Sequence, residues 1–113
     1  MKGLLRSFLN AFRGVGISVK SGRNMAIHLC AAAVVTAAGI ILRIKPWGWV
    51  AVFICFALVI AAEMLNTALE RLCDAVSPEQ SPKIRDVKDI GAGAVLVCAV
   101  FSVCVAVIVF IIS

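Results

Sequence analysis

Four polar side chains in one stretch of the sequence have the types and spacing that chemistry requires. Glu63, Asn66, Glu70 and Asp74 follow sixteen residues, 47–62, that carry no charge. At about 100° per helical residue they fall within an arc of roughly 80°, so three carboxylates and an amide share one helix face. Ionisable groups at the end of a membrane-length helix are costly to bury and mark a functional site by default. Solvated charges beside the membrane are the alternative, but they explain neither the depth of Glu63 nor the amide.

A second polar group is predicted at the same membrane depth, if a short hairpin joins the last two apolar segments. Lys88 and Asp89 begin the final segment, and the small residues that follow them let helices pack closely. Carboxylates bind Mg²⁺, usually through one or two protein ligands together with phosphates. A lysine neutralises phosphate charge, and a carboxylate beside a hydroxyl can take its proton. These residue types fit phosphoryl transfer onto a membrane-embedded alcohol, although Lys88 and Asp89 alone are equally typical of a solvated ion pair.

The elements that must position these groups are predicted to be membrane helices. Hydrophobic residues make up 63% of the 113-residue chain, against about 45–50% in an ordinary soluble domain. We predict an all-α integral membrane fold, a single domain over 1–113, with transmembrane helices at 25–42, 47–72 and 86–112. A polar connection with prolines separates the last two. Four of the five cysteines lie inside apolar runs, where they are expected to act as small hydrophobic residues.

Residues 3–22 are predicted to form an amphipathic helix that lies in the membrane interface. Arg6, Arg13 and Lys20 recur every seven residues opposite an apolar face. With the N-terminus inside, nine lysines and arginines lie on one side of the membrane and two on the other. This bias places the acidic face in the cytoplasm. The net charge of +5 therefore indicates membrane anchoring, and no nucleic-acid partner is expected. A chain this small is also expected to assemble.

The motifs at these positions closely resemble the small prokaryotic diacylglycerol kinase family. The resemblance rests on EMLNTALERLCD at 63–74 and KDIGAGAV at 88–95, and it extends to AFRG at 11–14. RNMAIH at 23–28 is similar to the undecaprenol kinase branch. The resemblance covers nearly the whole chain. It implies a bacterial cytoplasmic-membrane homotrimer whose active sites are shared between neighbouring subunits, with ATP as co-substrate and Mg²⁺ as cofactor.

By position in these motifs, the resemblance also implies residue roles. Glu63 would be the general base on the lipid hydroxyl, Asn66 would support the site, and Glu70 would hold Mg²⁺ on the ATP phosphates. The other implied nucleotide contacts are Asn10, Glu79, Gln80, Ser81, Lys88 and Asp89. The implied lipid contacts are Asn24, His28 and Ala92. His28 can also be interpreted simply as a polar residue at the interface.

Two positions depart from the family pattern. Relatives usually carry a metal-binding Glu immediately before the Arg-Asn pair, where this chain has Gly22. Relatives read Ser-Pro-Glu-Tyr-His where this chain has SPEQS at 77–81, so the adenine contacts are expected to differ. We predict a working lipid kinase that acts on undecaprenol, with diacylglycerol as the alternative acceptor. A small transporter subunit with Glu63 as carrier carboxylate, or an inactive assembly partner, are the competing interpretations.

Overall fold

The chain is described by a computed structural model that covers residues 1–77, 79 and 81–113, apart from the side chain of Arg23. These residues form four α-helices, joined by short connections. The helices are α1 Lys2–Val19, α2 Arg23–Leu42, α3 Pro46–Val76 and α4 Pro82–Ile112. The expected all-helical architecture is confirmed for this part of the chain.

Three of these helices, α2, α3 and α4, are long and apolar enough to cross a membrane within the described ranges. Both α3 and α4 have 31 residues, which corresponds to about 46 Å of helix against a hydrocarbon core of about 30 Å. Each of these two helices is therefore longer than the hydrocarbon core of a bilayer. The 63–74 face lies in the second half of α3.

The helix ends follow local sequence signals. Arg43 ends α2 in the left-handed conformation, with φ 54°, and its backbone N–H points back to the carbonyls of the last turn. Pro46 and Pro82 occupy the first turns of α3 and α4, where a missing N–H costs no hydrogen bond. The Ser81 hydroxyl accepts a hydrogen bond from the Ile84 backbone N–H at 3.3 Å and caps α4. Because α3 ends at Val76 and α4 begins at Pro82, the connection is 77–81, which is shorter than the 73–85 stretch between the predicted transmembrane helices.

The most extensive helix contact lies between α3 and α4, which form an antiparallel hairpin. Ile44, Val52 and Val109 make a small buried cluster near the Arg43–Pro46 turn. Gly48 lets the two backbones approach, because a Cβ at this position would lie 2.9 Å from Val109 Cγ1. This hairpin sets the depth at which α3 and α4 present their polar residues to each other.

Candidate active site

Glu63 and Asn66 are buried in the protein although they are polar. Glu63 is 5% exposed and Asn66 is 3% exposed. They lie one helical turn apart on α3, as the sequence spacing predicted, and face into the protein. A buried carboxylate needs partners to offset the loss of hydration, so its surroundings define the site.

Asn66 connects the buried part of this face to its exposed part. Its Nδ2 donates to Glu70 Oε1 at 3.3 Å, whereas its Oδ1 is buried and has no hydrogen-bond partner among the described residues. Gly91 of α4 packs directly on that oxygen, and a Cβ at Gly91 would collide with it. The side chain of Asn66 is therefore packed between α3 and α4, and its buried Oδ1 has no hydrogen-bond partner among the described residues.

A polar cavity of about 170 Å³ opens beside this face, where the start of α2 meets α3. Glu63, Thr67 and Glu70 line it from α3, and Ser21 and Asn24 line it from the chain before and within the first turn of α2. Spacing on one helix could not indicate Ser21, because it precedes α2 and reaches the site only where α2 meets α3. Thr67 lies four residues after Glu63 on the same face of α3, so the helical period could have indicated it. The cavity brings two carboxylates together with hydroxyl and amide groups.

Gly22 also lines the polar cavity, at the position where the family pattern has a carboxylate. Its φ of 153° lies in a region that side chains of L-residues rarely adopt. A Cβ built there would meet no atom within 4 Å, so space for a side chain exists. Gly22 therefore leaves room in the cavity and supplies no side-chain oxygen that could bind a metal ion.

An apolar groove of about 210 Å³ lies between α2, α3 and α4, and its lining residue His28 contacts Glu63. Its walls include Val35, Val52 and Phe56, and the lining residues with polar side-chain atoms are His28, Cys55 and Ser102. His28 Nε2 lies 3.7 Å from Glu63 Oε2, and this contact joins the groove to the polar cavity. The buried carboxylate of Glu63 therefore lies between the apolar groove and the polar cavity.

Lys88 lies at the depth of the exposed end of the polar face, as predicted. Its Nζ lies 2.7 Å from Asp74 Oδ1, and this ion pair links the end of α3 to the beginning of α4. Asp89 instead faces away, with its Oδ2 4.0 Å from Arg85 Nε on the same helix. Neither Lys88 nor Asp89 lines the polar cavity within this chain.

The remaining predicted residues lie outside the polar cavity in the single chain, except Asn24, which lines it. Asn10 on α1 and Ala92 on α4 are exposed. The Glu79 carbonyl accepts hydrogen bonds from the Ser77 hydroxyl and the Ser81 backbone N–H, which organises the turn before α4. Gln80 lies outside the described residues.

The described residues contain no group of three or more His, Cys, Asp or Glu side chains that could hold a metal ion together. Glu70 nevertheless lines the polar cavity together with the hydroxyl-bearing residues Ser21 and Thr67. Mg²⁺ in phosphate-transferring sites is commonly held by one or two carboxylates plus phosphate oxygens and waters. The donor set around Glu70 fits that mode of binding.

Fold and site together define a class: a small multi-pass membrane protein with a buried carboxylate at the boundary between apolar and polar cavities. The family model for prokaryotic diacylglycerol kinase matches residues 9–110. The chain therefore belongs to the prokaryotic diacylglycerol kinase family, and it is a lipid kinase. The family predicted from the motifs is confirmed.

Individual relatives agree with this assignment. An undecaprenol kinase of Bacillus subtilis is 31% identical over 105 residues, which span 93% of this chain and 85% of that protein. A diacylglycerol kinase of Synechocystis is 33% identical over 90% of this chain and 59% of its own length. A diacylglycerol kinase of Sinorhizobium is 41% identical over 61% of this chain and 50% of its own length.

Proposed function

We propose that this protein transfers the γ-phosphate of ATP to the hydroxyl of a membrane-embedded alcohol, with undecaprenol as the acceptor. The observation that carries the proposal is the position of Glu63 between the apolar groove and the polar cavity. A lipid alcohol would enter through the groove, and the phosphates of a nucleotide would enter through the cavity. Their reacting atoms would meet beside the carboxylate.

Glu63 serves as the general base in this proposal. Its carboxylate accepts the proton of the lipid hydroxyl while the hydroxyl oxygen bonds to the γ-phosphorus and the bond from that phosphorus to ADP breaks. The burial of Glu63 supports this role, because excluding water protects the transfer from competing hydrolysis. Positioned proton transfer typically contributes about 10²–10⁴-fold to rate.

Asn66 and Glu70 prepare the phosphate side of the site. The hydrogen bond from Asn66 Nδ2 holds Glu70 toward the polar cavity, and the close packing of Gly91 against Asn66 Oδ1 fixes the orientation of the amide. Glu70 would hold Mg²⁺ against the ATP phosphates, and the bound ion would supply neutralisation of the phosphate charge. Gly22 offers no side-chain ligand in the cavity lining, so Glu70 would hold the ion without a carboxylate from that position.

The other nucleotide contacts come from the exposed residues around the cavity. Lys88 supplies positive charge to the phosphates. The remaining residues of this group are Asn10, Glu79, Gln80, Ser81 and Asp89. Because Asn10 and Asp89 do not line the cavity of their own chain, we propose that they reach the site of a neighbouring subunit in a homotrimer. The α1 helix lies in the membrane interface and places Asn10 near the nucleotide.

The groove favours a polyprenol over diacylglycerol. A polyprenol is pure hydrocarbon beyond its hydroxyl, whereas diacylglycerol carries ester groups a few bonds away. Burying an ester carbonyl without a hydrogen bond costs roughly 1–3 kcal/mol, and the groove offers few polar side chains. The similarity to the undecaprenol kinase of Bacillus subtilis supports the same acceptor. Asn24, His28 and Ala92 are the proposed contacts near the lipid headgroup.

A transporter subunit is less compatible with the position of Glu63. A carrier carboxylate is usually found near the bilayer midplane. Glu63 lies about 25 Å along α3 from Pro46, close to the far edge of a hydrocarbon core of about 30 Å.

An inactive assembly partner would retain the helices but lose turnover. If the wild-type protein shows no turnover, the variant Gly22→Glu tests whether the missing metal ligand is the cause of that loss.

The test is a phosphorylation assay on purified protein in mixed micelles, with radiolabelled ATP, Mg²⁺ and either undecaprenol or diacylglycerol. We expect labelled undecaprenyl phosphate to form with at least tenfold higher kcat/KM than phosphatidate. Equal turnover of the two lipids would contradict the polyprenol preference. No labelled lipid at any Mg²⁺ concentration would contradict the kinase activity of this chain.

A further inference from the structure

The contact between His28 and Glu63 joins two helices at the most buried point of the site. The His28 side chain is 18% exposed and the Glu63 side chain is 6% exposed. They come from α2 and α3, which contact each other much less than α3 and α4 do. A carboxylate so little exposed requires a polar partner, and His28 lies within ion-pair distance of it.

The distance between the two groups indicates contact without a tight hydrogen bond. At 3.7 Å, His28 Nε2 and Glu63 Oε2 are farther apart than the 2.7–3.2 Å typical of an N–H···O bond. Hydrogen bonds in catalytic sites are often long without substrate and tighten when the substrate is bound. A small rotation of either side chain would close the remaining gap.

His28 also lines the apolar groove, whereas Glu63 lines the polar cavity. A glutamate side chain has several rotatable bonds and, without a partner, can turn its carboxylate toward the cavity and Glu70. A donor on the groove side would hold one carboxylate oxygen and leave the other facing an arriving hydroxyl. His28 is the described groove residue that lies in contact with Glu63.

We propose that His28 is a positioning residue for Glu63: its Nε2–H donates to Glu63 Oε2 and directs Oε1 toward the lipid hydroxyl. This inference rests on the proposed kinase function, and it assigns His28 a role beyond contact with the lipid headgroup. Misplacing a reacting group by about 1 Å can cost on the order of 100-fold in rate. The effect belongs to kcat, because substrate affinity does not depend on the orientation of Glu63.

The experiment compares His28→Leu, which keeps the bulk but removes the donor, with His28→Gln, whose side-chain amide can donate from a similar reach. Thr36→Val is the control, because the Thr36 hydroxyl bonds only to the Ala32 carbonyl of its own helix. The kcat and KM values for ATP and undecaprenol are measured for all three and for the wild type.

We expect kcat of His28→Leu to fall about 10–100-fold with KM for ATP within about twofold, and His28→Gln to recover most of the loss in kcat. A rise in KM for undecaprenol reports the lost contact with the lipid headgroup and should be smaller than the fall in kcat. Thr36→Val should match the wild type. Unchanged kcat in His28→Leu, equal losses in both His28 variants, or a rise confined to KM for undecaprenol would each overturn the inference. Inactive wild-type protein with either lipid would instead overturn the proposed function on which it rests.

Discussion

At the scale of single residues, Lys88 is the side chain whose partner is expected to change on nucleotide binding. It contacts Asp74 at 2.7 Å, and the Asp74 side chain is 66% exposed. An ion pair so open to solvent contributes only about 0–1 kcal/mol, so phosphate oxygens can replace Asp74 at little cost. The pair therefore holds Lys88 near the site without binding it permanently.

Replacing Lys88 tests this interpretation. We expect Lys88→Met to raise KM for ATP about tenfold or more, because one phosphate contact is lost, while the free energy of unfolding changes by less than about 1 kcal/mol. Lys83→Met removes an equal charge from the same end of α4 and is the matched control. An equal rise in KM for both variants would mean that Lys88 acts only through overall charge.

At the scale of helices, the site depends on how closely α3 and α4 pack at Gly91. A Cβ at Gly91 would collide with Asn66 Oδ1 and lie 3.4 Å from Leu69 Cδ1, whereas a Cβ at Gly93 would meet nothing within 4 Å. These two glycines are two residues apart in the same small-residue segment and point to different sides of α4. Comparing the same substitution at Gly91 and Gly93 therefore separates the packing requirement at Gly91 from the general effect of glycine on helix stability.

We expect Gly91→Ala to destabilise the protein by about 1–3 kcal/mol and to lower kcat, because Asn66 must move and Glu70 loses its donor. Gly93→Ala should be neutral or slightly stabilising, since alanine favours a helix by up to about 1 kcal/mol over glycine. Unfolding in a denaturing detergent series and turnover of undecaprenol measure the two effects. Similar behaviour of both variants would contradict a tight α3–α4 contact at Asn66.

Sequence periodicity predicted the helices and the shared face of Glu63, Asn66 and Glu70, because all of these depend on one helix at a time. It also predicted the depth of Lys88, because a short hairpin forces α4 to return beside α3. Sequence periodicity did not predict the contact of His28 with Glu63 or the packing of Asn66 against Gly91, because both depend on where two helices cross. The outward direction of Asp89 could have been predicted, because it follows Lys88 directly and lies about 100° from it around α4.

At the scale of the whole molecule, our proposal is that neighbouring chains complete each other's sites. Large apolar side chains of α1, including Phe8 and Phe12, are exposed, and Asn10 lies away from the cavity of its own chain. If α1 inserted its apolar side chains into the bilayer and packed against a neighbouring subunit, Phe8 and Phe12 would be buried and Asn10 would reach a nucleotide bound there. A closed ring of three identical chains would satisfy every such contact at once.

Mixed assemblies test the shared site. Asn10→Ala and Glu63→Gln are each expected to have low activity alone, because each removes one part of the machinery. If a site takes Glu63 from one chain and Asn10 from its neighbour, random mixing should restore about one quarter of the wild-type activity. Activity that stays at the level of the separate variants would show that each chain builds its own site.

The most direct measurement is the rate of phosphate transfer to undecaprenol by the wild type and by Glu63→Gln, at saturating ATP, Mg²⁺ and lipid. Glutamine keeps the shape of the side chain but cannot take a proton, so kcat should fall by about 10²–10⁴-fold while the unfolding midpoint stays within a few degrees of the wild type. A Glu63→Gln protein that phosphorylates undecaprenol at the wild-type rate would contradict the role of this buried carboxylate.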